Sequence, residues 1–129
     1  MRKKVLLCDD DIHILRAAEI KLSRAGYDVR IVQDGQEAWE SILQDCPNVL
    51  VTDVQMPRLD GFELIRLIRD TPATKDLPIL LLTAKGFELA QQALLRKWGI
   101  PDVLAKPFSP RELVRWIDRI LDVAPVVTP

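Results

Sequence analysis

Val49-Leu50-Val51-Thr52-Asp53 is a short apolar run ending on an acid, and beyond it Phe62, Leu64, Ile65 and Ile68 recur at helical spacing until Pro72 stops them. A run of that length bounded by polar residues reads as a buried strand, and the period after it as an amphipathic helix. The same unit repeats in both directions. Toward the N-terminus, Val5–Cys8 leads into Ile12, Leu15, Ile20 and Leu22, with Ala25-Gly26 as a helix stop. Val29–Val32 then leads into Ala38, Trp39, Ile42 and Leu43, which end before Pro47. Toward the C-terminus, Ile79–Leu82 precedes a fourth helix spanning Phe87 to Trp98, stopped by Gly99 and Pro101. Val103–Ala105 precedes a fifth, with Ser109 as N-cap, Pro110 at its first position, Glu112 at its third, and Leu113, Ile117 and Leu121 on its apolar face.

Five strands alternating with five helices imply a parallel sheet covered on both faces, because each crossover must return to start the next strand in the same direction. The expected fold class is therefore α/β, an open doubly wound sandwich. A chain of 129 residues suits one such domain. We expect it to occupy residues 1–122, with 123–129 as a C-terminal tail or truncated linker, since Pro125 and Pro129 break any helical period there. A net charge of -1 offers no overall field for nucleic acid or an anionic membrane, so neither is expected as a direct partner. The basic start Met1-Arg2-Lys3-Lys4 is followed by an apolar stretch that stops at Cys8, short of a signal-peptide core or a membrane span. Cys8 and Cys46 match no metal-ligand or CxxC spacing and read as reduced thiols, which fits a cytoplasmic protein.

In open α/β sheets, ligands sit beyond the carboxyl ends of the strands. Those ends carry Asp9-Asp10-Asp11, Asp53, Thr83, and Lys106 followed by Pro107. An Asp run taken alone reads as a solvated loop or a helix N-cap. The joint pattern is harder to dismiss, because every one of these groups falls on the edge where the topology puts a site. Clustered carboxylates raise one another's proton affinity and call for a counter-ion. Magnesium, a hard cation that binds carboxylate and carbonyl oxygens and contacts phosphate, fits Asp10, Asp53 and a nearby backbone carbonyl. With metal and Lys106 sharing the charge of a transferring phosphoryl group, Asp53 can act as nucleophile, and the Thr83 hydroxyl can donate to a phosphoryl oxygen.

The pieces V-L-L-C-D-D-D, V-T-D-V-Q-M-P-R-L-D-G-F-E-L, L-L-L-T-A and L-A-K-P-F, in that order, resemble the receiver domains of bacterial response regulators from Val5 to about Leu121. The resemblance implies the flavodoxin-like receiver fold with strand order 2-1-3-4-5. It also implies roles: Asp53 as phosphoacceptor, Asp10 as a direct magnesium ligand, Asp9 as a ligand largely through water, and Gln55 offering its backbone carbonyl. Thr83 resembles the switch hydroxyl, Lys106 the phosphate-binding lysine, and Lys106-Pro107 the family's cis peptide. Met56-Pro57 and Asp60-Gly61 resemble the loop that shapes the site, and Ala84 is small, as the family prefers beside the hydroxyl. Val103 departs from the pattern, standing where the family commonly has the aromatic ring that moves on activation, and Trp98 stands where a smaller residue is usual. Both belong, with Ala84 and Pro107, to the expected switch and partner surface.

The partners implied are a sensor histidine kinase or histidine phosphotransfer protein as donor, and a downstream target or linked output domain. Homodimerisation through the face of helix four, strand five and helix five is a further expectation. Arg111, Arg115 and Arg119, interleaved with Glu112, Asp118 and Asp122, read as a solvated, salt-bridged face. His13, the single histidine, reads as an exposed residue on the first helical turn. Two other functions remain open on the residues alone. Asp9-Asp10-Asp11-Ile12 has the D-x-D look of a haloacid-dehalogenase-type phosphatase, although the best nucleophile context follows strand three. A receiver-like binding module that signals without phosphorylation finds support in Val103, against the retained acids, Thr83 and Lys106. The expectation is thus a signalling domain that catalyses only its own phosphorylation and dephosphorylation, and no other turnover.

Overall fold

The computed structural model describes residues 2–83, 93, 95–100 and 103–121. Strands and helices alternate: β1 Lys4–Cys8, α1 Ile12–Arg24, β2 Asp28–Val32, α2 Gly35–Gln44, β3 Val49–Asp53, α3 Gly61–Asp70 and β4 Ile79–Thr83. A fourth helix, α4, contributes residues 93 and 95–97 to the described set. β5 Val103–Ala105 and α5 Pro110–Ile120 complete the order. The strands form one parallel sheet in the order β2-β1-β3-β4-β5, the doubly wound arrangement the sequence implied.

Every residue of β3 and β4 is buried, as strands covered on both faces must be, so alternate residues feed opposite cores. Val49, Val51, Leu80 and Leu82 face α1 and α5, against Leu15 and Ile117. Leu50, Ile79 and Leu81 face α2 and α3, against Ile42, Leu64 and Ile68. Two residues expected on apolar helix faces lie outside both cores, since Ile20 is 53% exposed and Leu43 57% exposed. Rotation around the helix explains both. At about 100° per residue, Ile20 stands about 140° from the buried Leu15, and Leu43 the same angle from Ala38.

The turns follow local chemistry. Asp11 caps α1, its Oδ1 accepting the N–H groups of His13 at 2.9 Å and Ile14 at 3.4 Å. Gly26, at φ 99°, turns the chain in the left-handed region after Ala25 caps the same helix. Asp60 with Glu63, and Ser109 with Glu112, form reciprocal capping boxes on α3 and α5. Among the described residues no helix is long and apolar enough to cross a membrane. The expected tail, 123–129, lies outside the described residues.

Candidate functional site

Parallel pairing in register aligns the strand ends. Cys8 lies beside Thr52, Asp53 beside Leu82, and Thr83 beside Ala105, so the residues that finish or follow β1, β3, β4 and β5 share one edge. Asp53 and Thr83 are the last residues of their strands rather than the first of their loops. Rigid ladder positions hold both side chains better than loop positions would. The Lys106 N–H, which donates to the Thr83 carbonyl at 2.8 Å, extends the ladder by one bond before the cis Lys106-Pro107 peptide turns the chain away.

Carboxylate oxygens of Asp9, Asp10 and Asp53 all lie within 4.8 Å of one another. Asp9 is fully buried and Asp53 is 8% exposed, while Asp10 is exposed. The acid run is thereby divided, two residues entering the cleft and Asp11 capping α1. Lys106 Nζ bridges the cluster, 2.7 Å from Asp9 Oδ2 and 3.2 Å from Asp53 Oδ2. Backbone amides fix the other oxygens: Asp11 N–H donates to Asp9 Oδ1 at 2.9 Å, and Val54 N–H to Asp53 Oδ1 at 2.8 Å.

Burial pushes the Asp9 carboxyl above the usual carboxylate range, with nearby Asp53 adding to the rise; Lys106 and the Asp11 amide pull it back without cancelling it. Like-charge repulsion, the cause expected from sequence, is thus the lesser one. Burial acts to lower the Lys106 amine, yet the contacts with Asp9 and Asp53 outweigh it and hold the amine above its ordinary value. The Cys8 thiol beneath the cleft is pushed far up by burial, leaving it an inert neutral group, and both cysteines are free.

The donor set fits magnesium. All its side-chain oxygens are hard carboxylates, and Asp9 Oδ2 is buried with the Lys106 ammonium, at 2.7 Å, as its one partner among the described residues. A buried oxygen in that condition is suited to a cation or to one of its waters.

Gln55 is exposed, two residues beyond Asp53 in the β3–α3 loop. Thr83 is buried at 8% exposure beside this edge. Ala84 lies outside the described residues. Trp98 is half-buried, its ring centroid 6.2 Å from that of Phe62 on α3, and it packs with Val103 on the α2–α3 side of the sheet. It serves there as a packing residue.

The salt-bridged face expected on the last helix is corrected in part. Among the described residues Arg111, Arg115 and Arg119 form no ion pairs; the Arg119 guanidinium instead sits 5.0 Å over the Trp116 ring, and Asp118 turns inward to accept the Tyr27 hydroxyl. His13 is exposed in the first turn of α1, as expected.

Sequence reasoning missed what holds the β3–α3 loop. Gly61 packs so tightly on the end of β3 that an added Cβ would come 2.3 Å from the Asp53 carbonyl oxygen. On its other side the loop meets α2 through Arg58 and Asp34, 3.0 Å apart. The spacing of Asp34 and Glu37 is an N-cap signal that the sequence reading did not use, and the distant Arg58 left no signal of pairing with it.

A doubly wound sheet with three clustered carboxylates and a lysine at its carboxyl edge defines the class, an α/β domain with an acidic site at its strand ends. The family model for the response regulator receiver domain matches residues 5–118, and the chain belongs to that family. It is 37% identical to the alkaline phosphatase synthesis transcriptional regulatory protein PhoP of Bacillus subtilis, over 100% of this chain and 52% of that protein. A response regulator structure from Chloroflexus aurantiacus is 39% identical, covering 95% of this chain and 99% of the other, with TM-score 0.84. The receiver domain of sensor histidine kinase PA1611 from Pseudomonas aeruginosa, solved with magnesium coordinated in its active site cleft, is 31% identical, covering 95% of this chain and 99% of the other, with TM-score 0.82. The chain spans about half the length of the curated relatives it matches.

Proposed function

We propose that Asp53 is the phosphoacceptor of this receiver domain. The observation that carries the reading is the constellation of Asp9, Asp10 and Asp53 oxygens within 4.8 Å, with the Lys106 amine on two of the three acids. A carboxylate oxygen of Asp53 attacks the phosphorus of a phosphohistidine on a kinase or phosphotransfer protein. The P–N bond breaks as the new P–O bond forms, and the bond's electron pair returns to the imidazole nitrogen. Asp9, Asp10, Asp53 and the Gln55 carbonyl would hold magnesium, as the PA1611 receiver domain holds it in its own cleft, and the cation when bound supplies charge neutralisation at the phosphoryl oxygens. Lys106 exchanges part of its contact with the acids for the phosphoryl group. Water then hydrolyses the acyl phosphate and restores the carboxylate.

Thr83 donates to a phosphoryl oxygen only in the modified state, so modification favours a conformation in which the β4 end and its loop are displaced. With Val103 in place of a large ring, the response passes through the packing of Trp98 and Val103 on the α2–α3 side rather than through an aromatic swing. The output is altered binding, to a target, to an attached output domain, or to a second copy through the α4–β5–α5 face. Residues 1–122 form the working unit, in a cytoplasmic setting that keeps both thiols reduced. The test is labelling with acetyl phosphate and magnesium followed by intact mass measurement. Wild type should take up one phosphoryl group and Asp53→Asn none; full labelling of Asp53→Asn overturns the assignment.

A further inference from the structure

The loop that follows the phosphoacceptor is held from three sides. Met56 Sδ lies 3.0 Å from Cys8 Sγ at the end of β1. Leu59 lies so close to the first residue of α2 that a Cβ on Gly35 would come 1.9 Å from the Leu59 carbonyl oxygen. Between these, Arg58 adopts φ 67°, a left-handed conformation that side chains with a Cβ rarely take, and its Nη2 lies 3.1 Å from Asp34 Oδ1 and 3.0 Å from Oδ2. A residue kept in that region needs compensation from its surroundings. Asp34 is itself well fixed, capping α2 through the Glu37 N–H at 2.8 Å, while its backbone carbonyl accepts from Cys8 Sγ at 3.4 Å.

We propose that the Arg58–Asp34 pair is a positioning strap that sets the Gln55 carbonyl for the cation by tying the β3–α3 loop to the N-terminus of α2. Resting on the phosphoacceptor reading, it adds two residues outside the acidic cluster whose work is done through the loop. An exposed ion pair contributes little to stability as a rule, and Arg58's side chain is 58% exposed, so a purely stabilising role predicts almost no effect of its loss. A positioning role predicts something else. The oxygen this reading assigns to the loop is the Gln55 backbone carbonyl, and its direction depends on loop dihedrals that the Arg58–Asp34 contact constrains from three residues further along the chain.

The experiment is calorimetric titration of the whole chain with magnesium chloride, for wild type, Arg58→Gly, Arg58→Lys, Asp34→Asn and the Arg58→Gly/Asp34→Asn double variant. Glycine accepts the positive φ without strain, and asparagine keeps the Oδ1 cap while setting an amide donor against Arg58 where Oδ2 accepted, so each single change breaks the charged contact between the two residues. Magnesium affinity should fall about tenfold in Arg58→Gly and in Asp34→Asn, the lower end for groups that orient a ligand from outside the coordination shell. The double variant should be no weaker than either single, and Arg58→Lys should recover part of the loss. Labelling rates from acetyl phosphate should fall at low magnesium and return near wild type at saturation. Unchanged magnesium affinity in both single variants, whatever their melting temperatures, overturns the strap. Failure of wild type itself to bind magnesium removes the underlying reading, and the strap with it.

Discussion

Lys106 stands between two acids, one of them fully buried, and this sets what its removal does. Lys106→Ala leaves Asp9 without a cation, and in the absence of magnesium the fold should lose roughly 2 kcal/mol, less than for a fully buried pair because the lysine side chain is 21% exposed. Urea unfolding with and without magnesium checks this, and the loss should shrink when the ion is present. Labelling of Asp53 should persist while the conformational response of the Trp98 region, followed by fluorescence with beryllofluoride, is lost. Asp34 carries the pH dependence at this scale. Burial would raise its carboxyl, but the Glu37 N–H and Arg58 outweigh that and hold it below the usual range. A depressed folded value means that the contribution is present above about pH 4, where the unfolded acid is ionised, and is lost as pH falls through the folded value. Wild type and Asp34→Asn should therefore converge in stability as pH falls through the depressed folded value, and a gap that persists at the acid limit of the folded state refutes the linkage. Asp53, Lys106 and the acid pair were legible because strand ends mark themselves by composition. Arg58 was not, because an ion pair spanning 24 residues leaves no periodic trace.

Among elements, the joint between the start of β2 and α5 rests on Tyr27, 5% exposed, whose hydroxyl donates to Asp118. Burial, with the hydrogen bond and charge of Asp118, raises the Tyr27 hydroxyl well above the ordinary tyrosine range. A raised folded value means that stability is complete below about pH 10 and declines above it, as the unfolded chain ionises first. Tyr27→Phe should cost about 1–2 kcal/mol at neutral pH and remove that alkaline decline, both measurable by denaturant titration across pH. Helix boundaries were readable wherever caps announced them, as at Ser109 with Glu112. The inward turn of Asp118 was not, since it follows from α5 packing beside α1, and the charge pattern alone suggested solvent.

For the whole molecule, the sheet couples its two faces. Leu80 and Leu81 are neighbours in β4, yet the first belongs to the α1–α5 core and the second to the α2–α3 core. Leu80→Ala and Leu81→Ala should each cost about 2–5 kcal/mol and keep a single cooperative transition, because both remove packing from one shared strand. Separate transitions for the two faces in calorimetry would contradict this. Magnesium should raise the melting temperature of wild type, by an amount equivalent to about 2.7 kcal/mol at a concentration one hundred times its dissociation constant. Asp53→Asn should reduce that gain.

The amino-acid sequence by itself determined the alternation of strands and helices, the parallel sheet it forces, and which residues end on its carboxyl edge. Each of these depends on local hydrophobic period or on residue type at a turn, both readable a few positions at a time. Tertiary structure alone decided which acid of Asp9-Asp10-Asp11 is buried, caps a helix or faces solvent, and that Arg58 reaches Asp34. Those outcomes depend on burial and on distances between segments far apart in the chain, which exist only once the sheet has aligned them.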